Sequence, residues 1–79
     1  MTKNDFFEIV ASILNVPTDS LSLDSTPGQI SSWDSLAHVS MCAAIEQSLN
    51  IQFSMAEMLS IKSLSDMVDM LTKHGIILD

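Results

Sequence analysis

The stretch Ser32–Phe53, SWDSLAHVSMCAAIEQSLNIQF, decides how the rest of the chain is read. Asp34 is of a residue type that opens helices, because its short carboxylate accepts a bond from a free N–H of the first turn. From there, residues 34–49 (DSLAHVSMCAAIEQSL) run without Gly or Pro and predict the longest helix of the chain. At 100° per residue, Val39, Met41, Cys42, Ile45 and Leu49 fall on one broad arc, the expected buried face. Leu36, Ser40, Ala43, Ala44 and Gln47 take the opposite arc, an outer face almost without charge and made of small side chains.

Working outward, residues 4–15 (NDFFEIVASILN) place Phe6, Phe7, Val10, Ile13 and Leu14 at helical spacing, with Asn4 or Asp5 as the candidate cap and Pro17 as the stop. Residues 16–33 (VPTDSLSLDSTPGQISSW) have loop composition but carry Val16, Leu21, Leu23, Ile30 and Trp33, which are expected to pin the segment across a core. A structureless connection of this length is unusual inside a small domain unless it positions a site. After Asn50, IQF reads as an extended link. Ser54 then caps a short helix at 55–60, with Glu57 three residues on as in a capping box. Ser63 opens a last helix at 64–73, striped by Leu64, Met67, Val68 and Leu71, with Asp66 in its first turn and Gly75 as its stop. The expected fold is all-α: a small four-helix bundle of three main helices and one short one, with a long first loop, forming one domain over residues 1–79.

Composition removes several functions. The chain has three lysines, no arginine and ten acids, a net charge of −7. Clustered Lys and Arg are what phosphate neutralisation needs, so nucleic acid and anionic membranes are not expected partners. A basic protein partner steered in by opposite charge is. No apolar run approaches the roughly 20 residues that span a bilayer. Cys42, the only cysteine, rules out an internal disulfide or a multi-cysteine metal site. No signal peptide is visible at the start, and a cytoplasmic monomer is the expectation.

On the residues quoted first, the chain resembles the acyl carrier protein family. Members carry an Asp-Ser-Leu motif at the start of their second helix, here Asp34, Ser35 and Leu36. The position of the motif, after a long anchored loop and before an amphipathic helix in an acidic chain, gives it more weight than the tripeptide alone. The resemblance covers essentially the full length, and IEQSLNIQF is similar to the family's end of helix two. Trp33 before the motif looks like stand-alone or polyketide-type carriers more than the fatty-acid-synthesis type. The absence of a flanking linker or fused domain in the sequence fits the same free-standing kind.

The resemblance implies that Ser35 receives a 4′-phosphopantetheine group from a dedicated transferase, making the chain a phosphoprotein whose arm holds an acyl chain as a thioester. It implies that Asp34 helps hold the metal ion used in that transfer, a role compatible with simple capping, and that Leu36 contacts the transferase and the enzymes that load and process the cargo. An aminoacyl or peptidyl carrier of non-ribosomal synthesis shares the same features. A helical interaction module that never receives the arm is the alternative of a different class. A helix N-terminus suits the attachment chemically, since its free N–H groups and the positive end of its dipole favour an attached phosphate.

The carrier itself is expected to lack catalytic machinery and a resident metal. His38, three residues after Ser35 and four after Asp34, invites a Ser-His-Asp reading. One helix rarely aligns nucleophile, base and orienter in series, and no oxyanion hole is evident, so His38 is expected to be a packed or partly exposed histidine on the buried arc. Met41, Met55, Met58, Met67 and Met70 are expected to fill core rather than line a cavity, and Cys42 to be a small buried apolar residue. Helix two has only Asp34 and Glu46 as acids. Partner recognition should therefore use shape and apolar contact around Leu36, Met55 and Met58 more than charge.

Overall fold

A computed structural model describes all 79 residues. Four helices follow in order: α1 (Lys3–Leu14), α2 (Ser35–Leu49), α3 (Met55–Ser60) and α4 (Leu64–Lys73), with no strand. The expected all-α bundle is the observed one, and the limits of α3 and α4 coincide with those expected.

Each helix is closed by local chemistry. At α1 the cap is Thr2, not Asn4 or Asp5. Thr2 Oγ1 accepts from the Asp5 N–H at 3.0 Å, and Asp5 Oδ2 accepts from the Thr2 N–H at 3.2 Å. Asp5 is therefore the third-residue partner of a capping box. Asn4 instead donates to Glu8, one turn on, at 3.0 Å. Ser54 with Glu57 forms the same box at α3, and Ser63 caps α4 through the Asp66 N–H. Two asparagines end the longer helices: Asn15 (φ 58°) after α1 and Asn50 (φ 55°) after α2, left-handed positions that asparagine tolerates.

The core is a single cluster to which nearly every element contributes. It takes Phe6, Val10 and Leu14 from α1, and Met41, Cys42 and Ile45 from α2. Leu64, Met67, Met70 and Leu71 come from α4, while Trp33, Phe53 and Ile61 enter from the connections. Helix α3 has no fully buried residue. Its neighbours Phe53 and Ile61 are the anchors on either side.

The long connection is more ordered than its composition suggests. Pro17 (φ −64°) leads into a 3-10 turn at Thr18–Ser20, whose Ser20 Oγ donates to the Pro17 carbonyl. Farther on, Leu64 N–H donates to the Ser25 carbonyl and Ser65 N–H to the Leu23 carbonyl, so the loop backbone satisfies free donors at the start of α4. Ser32 Oγ donates to the Leu14 carbonyl at the end of α1. Val16, Leu21 and Ile30 pack on the core as expected, but Leu23 stays at the surface. Its backbone, rather than its side chain, does the pinning.

Val39 also departs from expectation. It is 55% exposed, although the sequence wheel placed it on the buried arc. The true core arc is centred on Met41, Cys42 and Ile45, and Val39 stands about 110° round the helix from that centre. Leu49 lies at the margin, half-buried against the core.

Leu71 is fully buried, whereas Leu59 projects from α3. Leu71→Ala should lower the unfolding free energy by about 2–5 kcal/mol, while Leu59→Ala should change it by less than about 0.5 kcal/mol, both read from urea unfolding.

Candidate functional site

Trp33 and Asp34, adjacent in sequence, point in different directions and so place Ser35. The Trp33 ring is 3% exposed, inserted into the core at the end of the long connection. Asp34 has extended backbone (φ −98°, ψ −173°), and its Oδ1 accepts from the Ala37 N–H at 2.8 Å. The first helical bond follows, His38 N–H to the Asp34 carbonyl at 2.9 Å. Ser35 is thereby the first residue of α2, with its side chain exposed. The N–H groups of Ser35 and Leu36 belong to the first turn and have no intrahelical carbonyl to meet.

Ser35 stands at the edge of an open groove of about 430 Å³, formed by Asp34, Ser35, His38 and Val39 on one side. Trp33 and Pro27 of the long connection, with Leu59 and Ile61 around the end of α3, complete it. A larger open groove of about 630 Å³ lies between α1 and α2, but none of Asp34, Ser35 or Leu36 lines it. In the smaller one an exposed hydroxyl, a helix N-terminus and apolar walls come together.

Leu36 (77%), Met55 (67%), Leu59 (69%) and Val39 are exposed apolar side chains of α2 and α3; Val39 and Leu59 line the groove with Ser35, and Leu36 follows Ser35 in sequence. Leu36 and Met55 are exposed, as an apolar contact surface requires. Met58 is not, since it packs against the core and turns its carbonyl toward α2. Leu59, which sequence reasoning passed over, takes the outer position. Val39 was also missed as a groove residue, although its place four residues after Ser35 brings the two side chains onto one helical face. Of the five methionines expected in the core, Met41, Met67 and Met70 are buried there and Met58 packs against it, whereas Met55 is exposed; none of the five lines a groove.

The acids of α2 and α3, with the Asp34 cap, are already bonded within the fold. Asp34 caps α2, Glu46 Oε2 accepts from the Phe53 N–H, and Glu57 Oε1 accepts from the Ser54 N–H. Glu57 Oε2 also lies 3.1 Å from His74 Nε2. The Ser54 N–H bond, with a smaller contribution from His74, holds the Glu57 carboxyl below its ordinary range despite some opposing desolvation. No three His, Cys, Asp or Glu side chains gather as a metal-ligand set.

His38 is half-buried and engaged at both ring nitrogens. Trp33 Nε1–H donates to its Nδ1 at 3.0 Å, and its Nε2 lies 2.8 Å from the Met58 carbonyl. Nδ1 is thus the acceptor and Nε2 the donor, so neither nitrogen serves as a base toward Ser35. Cys42 is buried, and burial first, then the nearby Glu46 charge, pushes its thiol up to about 11. A thiol so placed stays protonated near neutral pH and is a poor nucleophile.

Comparison with known families gives a match over residues 4–71 to the phosphopantetheine attachment site family. The chain belongs to the phosphopantetheine-attachment family. It is a carrier domain of that family, which is defined by covalent 4′-phosphopantetheine. No protein of curated function matches the chain. The residues present fit the group: an accessible hydroxyl on a rigid helix start, free first-turn N–H groups suited to a phosphate, and an apolar groove alongside. No helix is long and apolar enough to cross a membrane.

The lowered Glu57 pKa fixes the sign of a pH effect. The folded state favours the carboxylate, so this contribution is complete above the ordinary carboxyl value of 4.5 and is lost as pH falls through the lower folded value. The melting-temperature gap between the natural chain and Glu57→Gln should be open at about pH 7 and should close toward about pH 3.

Proposed function

We propose that Ser35 is the attachment residue and that the chain, as one carrier domain, holds acyl groups and presents them to partner enzymes. The supporting observation is the exposed Ser35 hydroxyl in the first turn of α2, set by the Asp34 cap at the edge of an apolar groove. The bound group supplies a terminal thiol that holds cargo as a thioester. Everything else falls to the chain: presenting Oγ, seating the phosphate at the helix start, and offering partners a surface. Catalytic groups come from those partners, first among them a phosphopantetheinyl transferase. Asp34 acts as the cap and, as the family resemblance implies, as a contact for the metal used in that transfer.

The groove favours an acyl over an aminoacyl cargo. Its walls at Trp33, Val39, Leu59 and Ile61 are apolar, which suits an apolar acyl chain. Leu36, Val39, Met55 and Leu59 form the surface that partners would meet first.

Two measurements test this reading. Incubation with coenzyme A and a broad-specificity transferase should raise the intact mass by about 340 Da, and Ser35→Ala should abolish the gain. No gain, under conditions that load a control carrier, would leave an unmodified interaction module instead. Because the local acids are bonded internally, transferase affinity should change less than about threefold between about 0.05 and 0.5 M salt. Leu36→Ala should weaken it about tenfold or more, measured by binding titration.

A further inference from the structure

Helix α1 carries a second pattern beside its buried stripe. Asp5, Glu8 and Ser12 recur at helical spacing with Ile9 and Ile13 next to them, so they share one side of the helix. That side forms one wall of the open groove of about 630 Å³, and Ala44, Ser48 and Leu49 of α2 form the other. The floor is apolar: Ile9, Ile13 and Leu49, with Met1 from the start of the chain, are half-buried and packed on the core cluster. Ser12 and Ser48 are exposed and small, so nothing bulky stands between this floor and solvent.

The groove is also acidic, without an internal counter-charge. Asp5 and Glu8 are both exposed and both line it. Asp5 Oδ2 accepts from the Thr2 N–H and Glu8 Oε1 from the Asn4 amide, which leaves the second oxygen of each carboxylate unbonded within the fold. The protein's one ion pair is Glu57 with His74, and no lysine lines the groove.

We propose that the α1–α2 groove is a docking site for a basic amphipathic helix of a partner protein. Its apolar side chains cover Ile9, Ile13 and Leu49, while its lysines or arginines meet Asp5 and Glu8. A helix fits because the small side chains at Ser12, Ala44 and Ser48 let a third helix approach closely. The wall from Asp5 to Ile13 runs about 12 Å, two turns of such a helix. An extended peptide has no strand edge to join, since the fold has no strand. A second copy of the chain does not fit, because a two-fold contact sets the same carboxylates against each other in molecules of net charge −7.

This site stands apart from Ser35. Ala44 follows Ser35 on α2 by nine residues, which puts it about 180° round the helix and about 14 Å along it. A partner helix seated here holds the domain while leaving Ser35 open to other proteins. Docking in this groove combines exposed charge with apolar burial, so it is salt-sensitive where contact at the Ser35 face is not.

The probe is a helical peptide of about 18 residues, built of leucine and lysine with the leucines on one face, titrated into the isotope-labelled, unmodified chain. At about 0.05 M salt, amide resonances of Ile9, Ser12, Ala44 and Ser48 should shift while those of Ser35 and Val39 stay in place. At about 0.5 M salt the affinity should fall about tenfold. Glu8→Gln, Ser12→Lys and Asp69→Asn shift the net charge by the same amount, the last at an exposed position on α4. The first two should weaken binding about threefold or more, and Asp69→Asn less than about 1.5-fold, with unchanged circular dichroism in each. A peptide with glutamate in place of lysine should not bind.

Shifts centred on Ser35, or spread evenly over the acidic surface, overturn the proposal. So do equal losses in the three variants, equal binding of the glutamate peptide, or no saturation by about 1 mM peptide. Sedimentation that shows a dimer lost in Ser12→Lys gives the groove to a second copy and also overturns it. A chain that passes these tests but gains no mass at Ser35 keeps this docking site and loses only the reading of Ser35.

Discussion

A buried indole carries an obligation, because its N–H cannot be left unbonded without a cost of roughly 1–3 kcal/mol. Trp33 meets that obligation through His38 Nδ1 at 3.0 Å, and much of the site follows from this one bond. With the ring fixed in the core, the chain must emerge at Asp34, in extended conformation, where the carboxylate can cap the new helix. Ser35 is then left outside, in the first turn. Because His38 lies on the same helix, the bond also sets the rotation of α2, which sends Leu36 and Val39 outward and Met41, Cys42 and Ile45 inward.

The net charge of −7 and the character of the site are separate matters. Long-range attraction of a basic partner depends on summed charge and falls away over about 10 Å at moderate salt. Close contact depends on what the surface presents. Here the carboxylates of α2 and α3 are spent on backbone N–H groups, at Ala37, Phe53 and Ser54. What remains around Ser35 is Leu36, Val39 and Leu59. Encounter can be steered by charge while complex lifetime is set by apolar burial, two quantities that respond to different substitutions.

The features legible in the sequence are those settled within a few residues. Capping pairs such as Ser54 with Glu57 and Ser63 with Asp66 are local, and α3 and α4 begin where those pairs say. Thr2 with Asp5 obeys the same rule, yet the more polar Asn4 and Asp5 drew the assignment one turn too far in. The Ser35 environment was legible for a similar reason, since Asp34, Ser35 and Leu36 are consecutive. What could not be read were bonds between distant residues. The Met58 carbonyl lies 20 residues from His38, and His74 lies 17 from Glu57. Backbone acceptors such as the Ser25 and Leu23 carbonyls leave no side-chain signature at all. Val39 is a different kind of miss, because a wheel drawn without the true core direction gives a wide arc with ambiguous margins.

Helix α3 shows how a small domain divides firmness from adaptability. Six residues are too few for a helix to persist alone, since isolated helices are marginal below about 12 residues. It also contributes no fully buried side chain to compensate. It is held instead at its two ends, by Phe53 and Ile61 in the core, by its own capping box, and by two histidines. His38 grips the Met58 carbonyl on the α2 side, and His74, packed edge-on against Phe53 at 5.4 Å, meets Glu57 on the α4 side. Such an element can open locally at less cost than unfolding the cluster formed by α1, α2 and α4, because few apolar contacts are lost. The rigid part of the molecule therefore fixes Ser35. The part that yields is the opposite wall of the groove, where different partners and cargoes would have to be accommodated.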